Sequence, residues 1–276
     1  MRKIKIHLLL LLPLLFIFTS PVQARNIGAL PFEEHFESTD WAQAELGIRP
    51  TGSKVLWESS AGWQGSGAAK LAPPTAAEGY ATLGIMDGFG EQTRLNVRFL
   101  LYHGATLTLK APHDKLIILN RVNDATRPMV ISGGNWVNGE NERIYFACHG
   151  TVCGNRDDRF SMPMYVNREY ANQWISFEYE VDLVNQVERV YIYTQDGRAA
   201  GLYSEHRFSE SNAANSPIFR IEGIGHYWGP PTEISDGVFD DETYIMIDEL
   251  KVDNQYIGPP LGFLSDPPPA APARTR

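Results

Sequence analysis

Three acidic residues at alternate positions, Glu178, Glu180 and Asp182, are the first place in this chain to look for chemistry. In an extended segment the side chains at i and i+2 point the same way, roughly 7 Å apart. A retaining glycosidase uses two carboxyls about 5–5.5 Å apart, one as acid/base and one as nucleophile. The same spacing also fits a strand face turned to water. The intervening residues Ile175, Phe177, Tyr179 and Val181 favour that second reading, since they supply the apolar face of a half-buried strand. The acidic face is therefore expected to meet solvent.

A second set is basic and polar. Arg94, Asn96 and Arg98 alternate on one segment, Arg143 and Tyr145 on another, and Arg127, His149, Tyr165 and Arg168 lie in segments that could border the same cleft. These types suit β-elimination from a uronate. Arg98, Arg127 or Arg143 would neutralise the carboxylate and acidify the neighbouring proton, and Tyr145, His149 or Tyr165 would move protons. Arg94 and Asn96 would contact substrate. Arginine on the polar face of a strand is also common as plain structure.

Aromatic residues in glycine- and asparagine-rich stretches form a third set: Trp136 in GGNWVNG, and His226, Tyr227 and Trp228 in GIGHYWGPP. Such rings can cover the apolar face of a pyranose, or simply plug the end of a sandwich. Cys148 and Cys153 are the two cysteines. In an exported protein they are expected to close a small disulfide loop; a metal site would need more ligands than His149 adds. The chain lacks a GxSxG elbow, an HExxH pair, a P-loop and a dinucleotide fingerprint.

The elements that must position these groups read as short strands. Trp174 to Gly197 is the clearest, with two alternating segments and an Asp196-Gly197 turn. Further strands are expected at 31–36, 54–58, 68–72, 79–83, 93–101, 105–110, 115–120, 128–132, 143–148, 218–222 and 244–252. No stretch reads as an amphipathic helix of three turns, and no repeat is apparent. The pattern indicates an all-β fold, a jelly-roll β-sandwich of two curved antiparallel sheets.

At the start, Arg2, Lys3 and Lys5 precede an apolar run from Leu8 to Phe18, and Val22-Gln23-Ala24 resembles a cleavage site. Residues 1–24 are read as a signal peptide, 25–258 as the domain and 259–276, rich in proline and alanine, as a disordered tail. The run is short for a bilayer span, which needs roughly 20 apolar residues. A secreted protein, periplasmic or extracellular, is expected. Losing three basic residues with the leader takes the formal net charge from −9 to −12, which disfavours nucleic acid and anionic membranes as partners.

The segments FEEHFESTDW, RLNVRFLLYHGATLTLKAPHDKLIIL, WISFEYEVDL with RVYIYTQDG, and YIMIDELKVDNQYIG follow one order. That order resembles the concanavalin A-like lectin/glucanase superfamily and is most similar to its polysaccharide-lyase-like members. The resemblance implies a jelly roll with a glycan-binding face and an extracellular polysaccharide as partner. Laminarinase-like members carry Glu-x-Asp-x-(x)-Glu on one strand, and Glu178-x-Glu180-x-Asp182 departs from it. Gln-Ile-His and Arg-x-Glu-x-Arg strings of alginate lyases are missing. Asp-rich loops such as SDGVFDDE read as solvated turns or as oxygen donors for calcium through Asp236 and Asp240; the resemblance implies a structural calcium near the terminal strands, where Asp248 is placed, and no other cofactor is required. Three functions follow as expectations: a uronate-polysaccharide lyase, a non-catalytic carbohydrate-binding module, or a structural or adhesive envelope protein.

Overall fold

The computed structural model describes residues 30–39, 48–52, 55–72, 80–85, 89–103, 115–122, 124–133, 144–148, 160–164, 172–208, 215–227 and 244–263; residues 124–133, 144–148 and 160–164 are described by their backbone course. Among these, the chain forms fifteen strands in two sheets, and every pairing is antiparallel. Sheet A runs in the order β13 (Ala200–Arg207), β12 (Val187–Thr194), β11 (Trp174–Asp182), β6 (Arg94–His103), β15 (Ile245–Asp253), β4 (Ala68–Leu71), β3 (Val55–Glu58). A short β1 (Phe32–Glu34) also pairs with β15. Sheet B runs β10 (Phe160–Met164), β9 (Ile144–Cys148), β8 (Asp124–Gly133), β7 (Lys115–Arg121), β14 (Ile218–Tyr227), β5 (Tyr80–Ile85), β2 (Ile48–Thr51). The architecture is an all-β sandwich with sheets that do not close into a barrel.

The sheets meet through their alternating apolar positions. Val97 and Phe99 of β6 and Phe177 and Tyr179 of β11 share one buried cluster with Ile117 and Leu119 of β7 and Ile221 of β14. Phe99 and Phe177 are direct cross-strand neighbours with ring centroids 5.3 Å apart. Full burial of each such side chain contributes about 1.5–3 kcal/mol, so this layer dominates the stability of the sandwich. The Tyr179 hydroxyl, inside the core, donates to Glu188 at 2.8 Å, which satisfies both polar groups. Burial raises the Tyr179 pKa well above its usual value and keeps it a donor.

The β11–β12 hairpin closes through residues 183–186. Asp182 Oδ1 accepts the backbone N–H groups of Val184 (3.0 Å) and Asn185 (2.9 Å), an aspartate-turn arrangement, and Gln186 takes φ 54°. On β15, residues Ile245 to Ile247 pair with β4 and residues Leu250 to Val252 pair with β1. Glu249, at φ 49°, is the bulge where the edge partner changes. Lys251 of β15 forms an ion pair with Glu33 of β1 across that second pairing.

Strands β2 and β10 were not expected from the sequence, and both carry a proline, Pro50 and Pro163. Proline lacks the N–H that a central strand needs, yet β2 and β10 are the two edges of sheet B, where that loss is tolerated. The third unexpected strand, β13, is an edge of sheet A. The expected strand at 105–110 lies outside the described residues.

Candidate functional site

Each sheet has one face on the core and one face turned outward, and the two outward faces differ. On sheet A the outward positions align as Arg98–Glu178–Tyr191 and Asn96–Glu180–Arg189 across β6, β11 and β12. The acidic stripe expected to meet water does not. Glu178 is 0% exposed, Glu180 1% and Asp182 5%. The physical reason lies beyond the strands. The chain leaves β15 at Asp253, which pairs with Asn96, then crosses to β11 and β12 and lies over them as far as Phe263. The Phe263 ring is buried beside Leu100 and packs on Trp63 at 4.9 Å. Residues 259–263, the start of the segment expected to be a disordered tail, belong to this crossing; 264–276 lie outside the described residues.

Under this strap the carboxylates are held by partners. Glu178 accepts the N–H of Ile257 on Oε1 and that of Gly258 on Oε2, each at 2.9 Å. Burial nevertheless pushes its pKa up to about 7, against the lowering effect of those two bonds and of Arg98. Glu180 accepts from Arg94 (2.9 Å) and Arg189 (3.0 Å) on Oε1 and from the Tyr191 hydroxyl (2.8 Å) on Oε2. Burial and the Glu180 carboxylate hold the Tyr191 pKa above its usual value. The stripe thus has neither a water-lined gap nor an open approach for a sugar. It is scaffold, as the glycosidase comparison in sequence already indicated, but buried scaffold.

Asp248 is also engaged. Its Oδ2 accepts the Trp63 N–H (2.8 Å) and the Ser66 hydroxyl (2.7 Å), and its Oδ1 accepts the Glu249 N–H (2.7 Å). Those bonds pin the tight 3-10 turn at Trp63–Gly65, where Gly62 is needed: a Cβ there would lie 2.2 Å from the Gly67 carbonyl oxygen. With both oxygens accepting from N–H and O–H donors, Asp248 acts here as the anchor of this turn; Asp236 and Asp240, the other expected calcium ligands, lie outside the described residues.

The outward face of sheet B is built differently. Leu119 and Ile221 point into the core, so their neighbours Asn120 on β7 and Arg220 on β14, directly paired, take the opposite face. The Asn120 amide donates to Glu222 Oε2 at 2.6 Å, and the Arg220 guanidinium lies 3.9 Å from the same oxygen. Among the described residues, the buried atoms Asn120 Oδ1 and Arg220 Nε have no hydrogen-bond partner. Arg220 and Glu222 stay partly exposed, at 29% and 35%. This row combines an arginine, an amide and a carboxylate with hydrogen-bonding capacity left over. Sequence reading missed all three residues. Two bulges in the β7–β14 pairing break the strict alternation that would have revealed their common face.

The residues proposed from sequence are divided between the sheets. Arg94, Asn96 and Arg98 lie on β6 in sheet A, on the strapped face; Arg98 is 7% exposed and donates to the Glu249 carbonyl at 3.2 Å. Arg127 lies on β8 and Tyr145 on β9, where Tyr145 pairs with Ser132 and Ser161. His226 and Tyr227 are the last residues of strand β14, paired with Ala81 and Tyr80, and not loop residues as expected. The three β6 residues therefore do not join Arg127 and Tyr145 in one cleft: they occupy a different sheet, on the side facing away from it. Cys148 ends β9, while Arg143, His149, Cys153, Tyr165, Trp136 and Trp228 lie outside the described residues.

Fold and face together define an all-β sandwich of two antiparallel sheets with one strapped outward face. No protein-family model matches the sequence, and no curated protein matches it. Among solved structures, the chain is similar to an endo-β-1,4-glucuronan lyase from the fungus Trichoderma reesei, at 11% identity over 80% of this chain and 94% of that one, with a TM-score of 0.51. It is also similar to alginate lyase vAL-1 from Chlorella virus, at 8% identity over 78% and 96%, TM-score 0.49. A botulinum neurotoxin serotype D binding domain aligns at 13% identity and TM-score 0.45, covering 76% of this chain; the chain spans 44% of that domain. At these identities the likeness is one of fold.

Proposed function

We propose that this is an exported protein that takes a uronate-containing polysaccharide across the outward face of sheet B and cleaves it by β-elimination. One observation carries the reading: on the outward face of sheet B, Arg220 and Glu222 stay partly exposed side by side, with Asn120, directly paired with Arg220, donating to Glu222. Arg220 would bind the uronate carboxylate and stabilise the charge that develops as the α-proton leaves. A base removes the proton at C5, the bond from C4 to the glycosidic oxygen breaks, a proton returns to that oxygen, and a C4–C5 double bond remains. The fold shared with a glucuronan lyase supports the choice of substrate class.

Incubation with glucuronan, alginate and heparin-type chains is expected to give the ultraviolet absorbance of the unsaturated product, lost in Arg220→Ala. Binding that is sensitive to Arg220→Ala but yields no product would leave a carbohydrate-binding module on the same face. Neither binding nor product on any of these glycans would remove the polysaccharide reading altogether.

A further inference from the structure

The strap over sheet A combines firm anchors with a frustrated underside. Its anchors are the two N–H bonds to Glu178, a hydroxyl contact between Tyr256 and Tyr193, the Tyr256 ring 5.0 Å from that of Tyr191, and Phe263 on Trp63. Beneath its crossing, on the same face, several buried polar atoms have no hydrogen-bond partner among the described residues: both amide atoms of Asn96, Arg98 Nε and Ser176 Oγ. Asn96 and Ser176 are 0% exposed. Each such atom carries a desolvation cost that water would relieve if the strap lifted. The closed face therefore holds its cover less firmly than an apolar face of the same size would.

We propose that the segment from Asn254 to Phe263 is a latch that lifts from sheet A as the pH rises, with Glu178 as its catch. Closed, the Glu178 carboxyl is shut away from water; lifted, it is hydrated, so its ionised form favours the open state. Every element around it contributes to the balance. Arg98 on β6 favours the ionised carboxyl, while Glu180 on β11 opposes it. Tyr191 and Tyr193 on β12 and Tyr256 on the strap itself are all held neutral by burial, and Glu249 on β15 faces Arg98 from the far side. The sign follows from the direction of the shift. A carboxyl whose pKa is raised in the closed state, to about 7, contributes to closure at low pH and loses that contribution as pH climbs through the raised value.

Amide hydrogen exchange on the full chain, corrected for intrinsic rate, tests the latch at Tyr256, Ile257 and Gly258. With an ordinary carboxyl pKa in the open state, the opening constant is expected to rise roughly 30-fold between pH 5.5 and 8.5. Amides in the β11–β12 pairing serve as the control and are expected to stay protected. Glu178→Gln should flatten the dependence. Tyr256→Phe, which removes only the hydroxyl contact with Tyr193, should raise opening roughly fivefold at both pH values and keep the slope. A pH-independent strap in the unaltered protein, a slope that survives Glu178→Gln, or control amides that open together with the strap would each overturn the latch.

Discussion

The outward faces of the two sheets use the same kinds of side chain for opposite ends. On sheet A, Arg94 and Arg189 converge on Glu180, and two backbone N–H groups converge on Glu178, so each carboxylate is closed in by partners and covered by the strap. On sheet B, Arg220 lies 3.9 Å from Glu222, which also accepts from the buried Asn120, and both charged side chains stay partly exposed. The first arrangement stabilises a fold because its buried carboxylates, Glu178 and Glu180, depend on these partners for every contact that replaces water. The second can exchange its internal carboxylate contact for that of a ligand. Residue type does not separate a structural cluster from a receptive one; the covering segment does.

The largest test of that contrast is Glu180→Ala. It leaves Arg94, Arg189 and Tyr191 without their common acceptor and is expected to cost about 3 kcal/mol of unfolding free energy in urea titrations. A cost below about 1 kcal/mol would mean that the strapped face is not the structural one. Arg220→Ala is expected to do the reverse. Stability should move by no more than about 0.5 kcal/mol, while turnover on the cleaved glycan falls on the order of 100-fold. Loss of stability with unchanged turnover would exchange the roles of the two faces.

Asp248→Ala tests whether the turn that buttresses the strap matters on its own. It removes an acceptor used by Trp63, Ser66 and Glu249 and should cost about 1–3 kcal/mol, with added calcium giving no rescue. Rescue by calcium would restore a metal role to Asp248. The smallest effect is expected at the β1–β15 edge, where Lys251 holds the Glu33 pKa below its usual value. That contribution is present at neutral pH and is lost as pH falls through the depressed pKa. With Glu33 43% exposed, Glu33→Gln should cost less than about 1 kcal/mol at pH 7 and nothing measurable below pH 3.

Much of the scaffold was legible in the chain. Alternation located β6, β11, β12 and β15 to within about two residues, because a strand with one apolar face must place it against a second layer. Strands β2 and β10, each with a proline, were not expected, and a single sequence does not say which strands are edges. The candidate site was harder. Asn120, Arg220 and Glu222 share a face only through the pairing of β7 with β14, about 100 residues apart in the chain, and through bulges that shift the alternation. His226 and Tyr227 looked like loop residues because glycines surround them, whereas sheet B continues through them.

The stripe Glu178, Glu180 and Asp182 marks the boundary between the two kinds of knowledge. The sequence by itself determined that these three carboxylates share one face of a strand and that the opposite face belongs in the core, because side-chain direction along a strand has a period of two. Whether that polar face meets water was decided only by the tertiary structure. The N–H groups that close over Glu178 come from Ile257 and Gly258, some 80 residues later in the chain. Local sequence sets the direction in which a side chain points, while distant chain returning to that place sets the dielectric it points into.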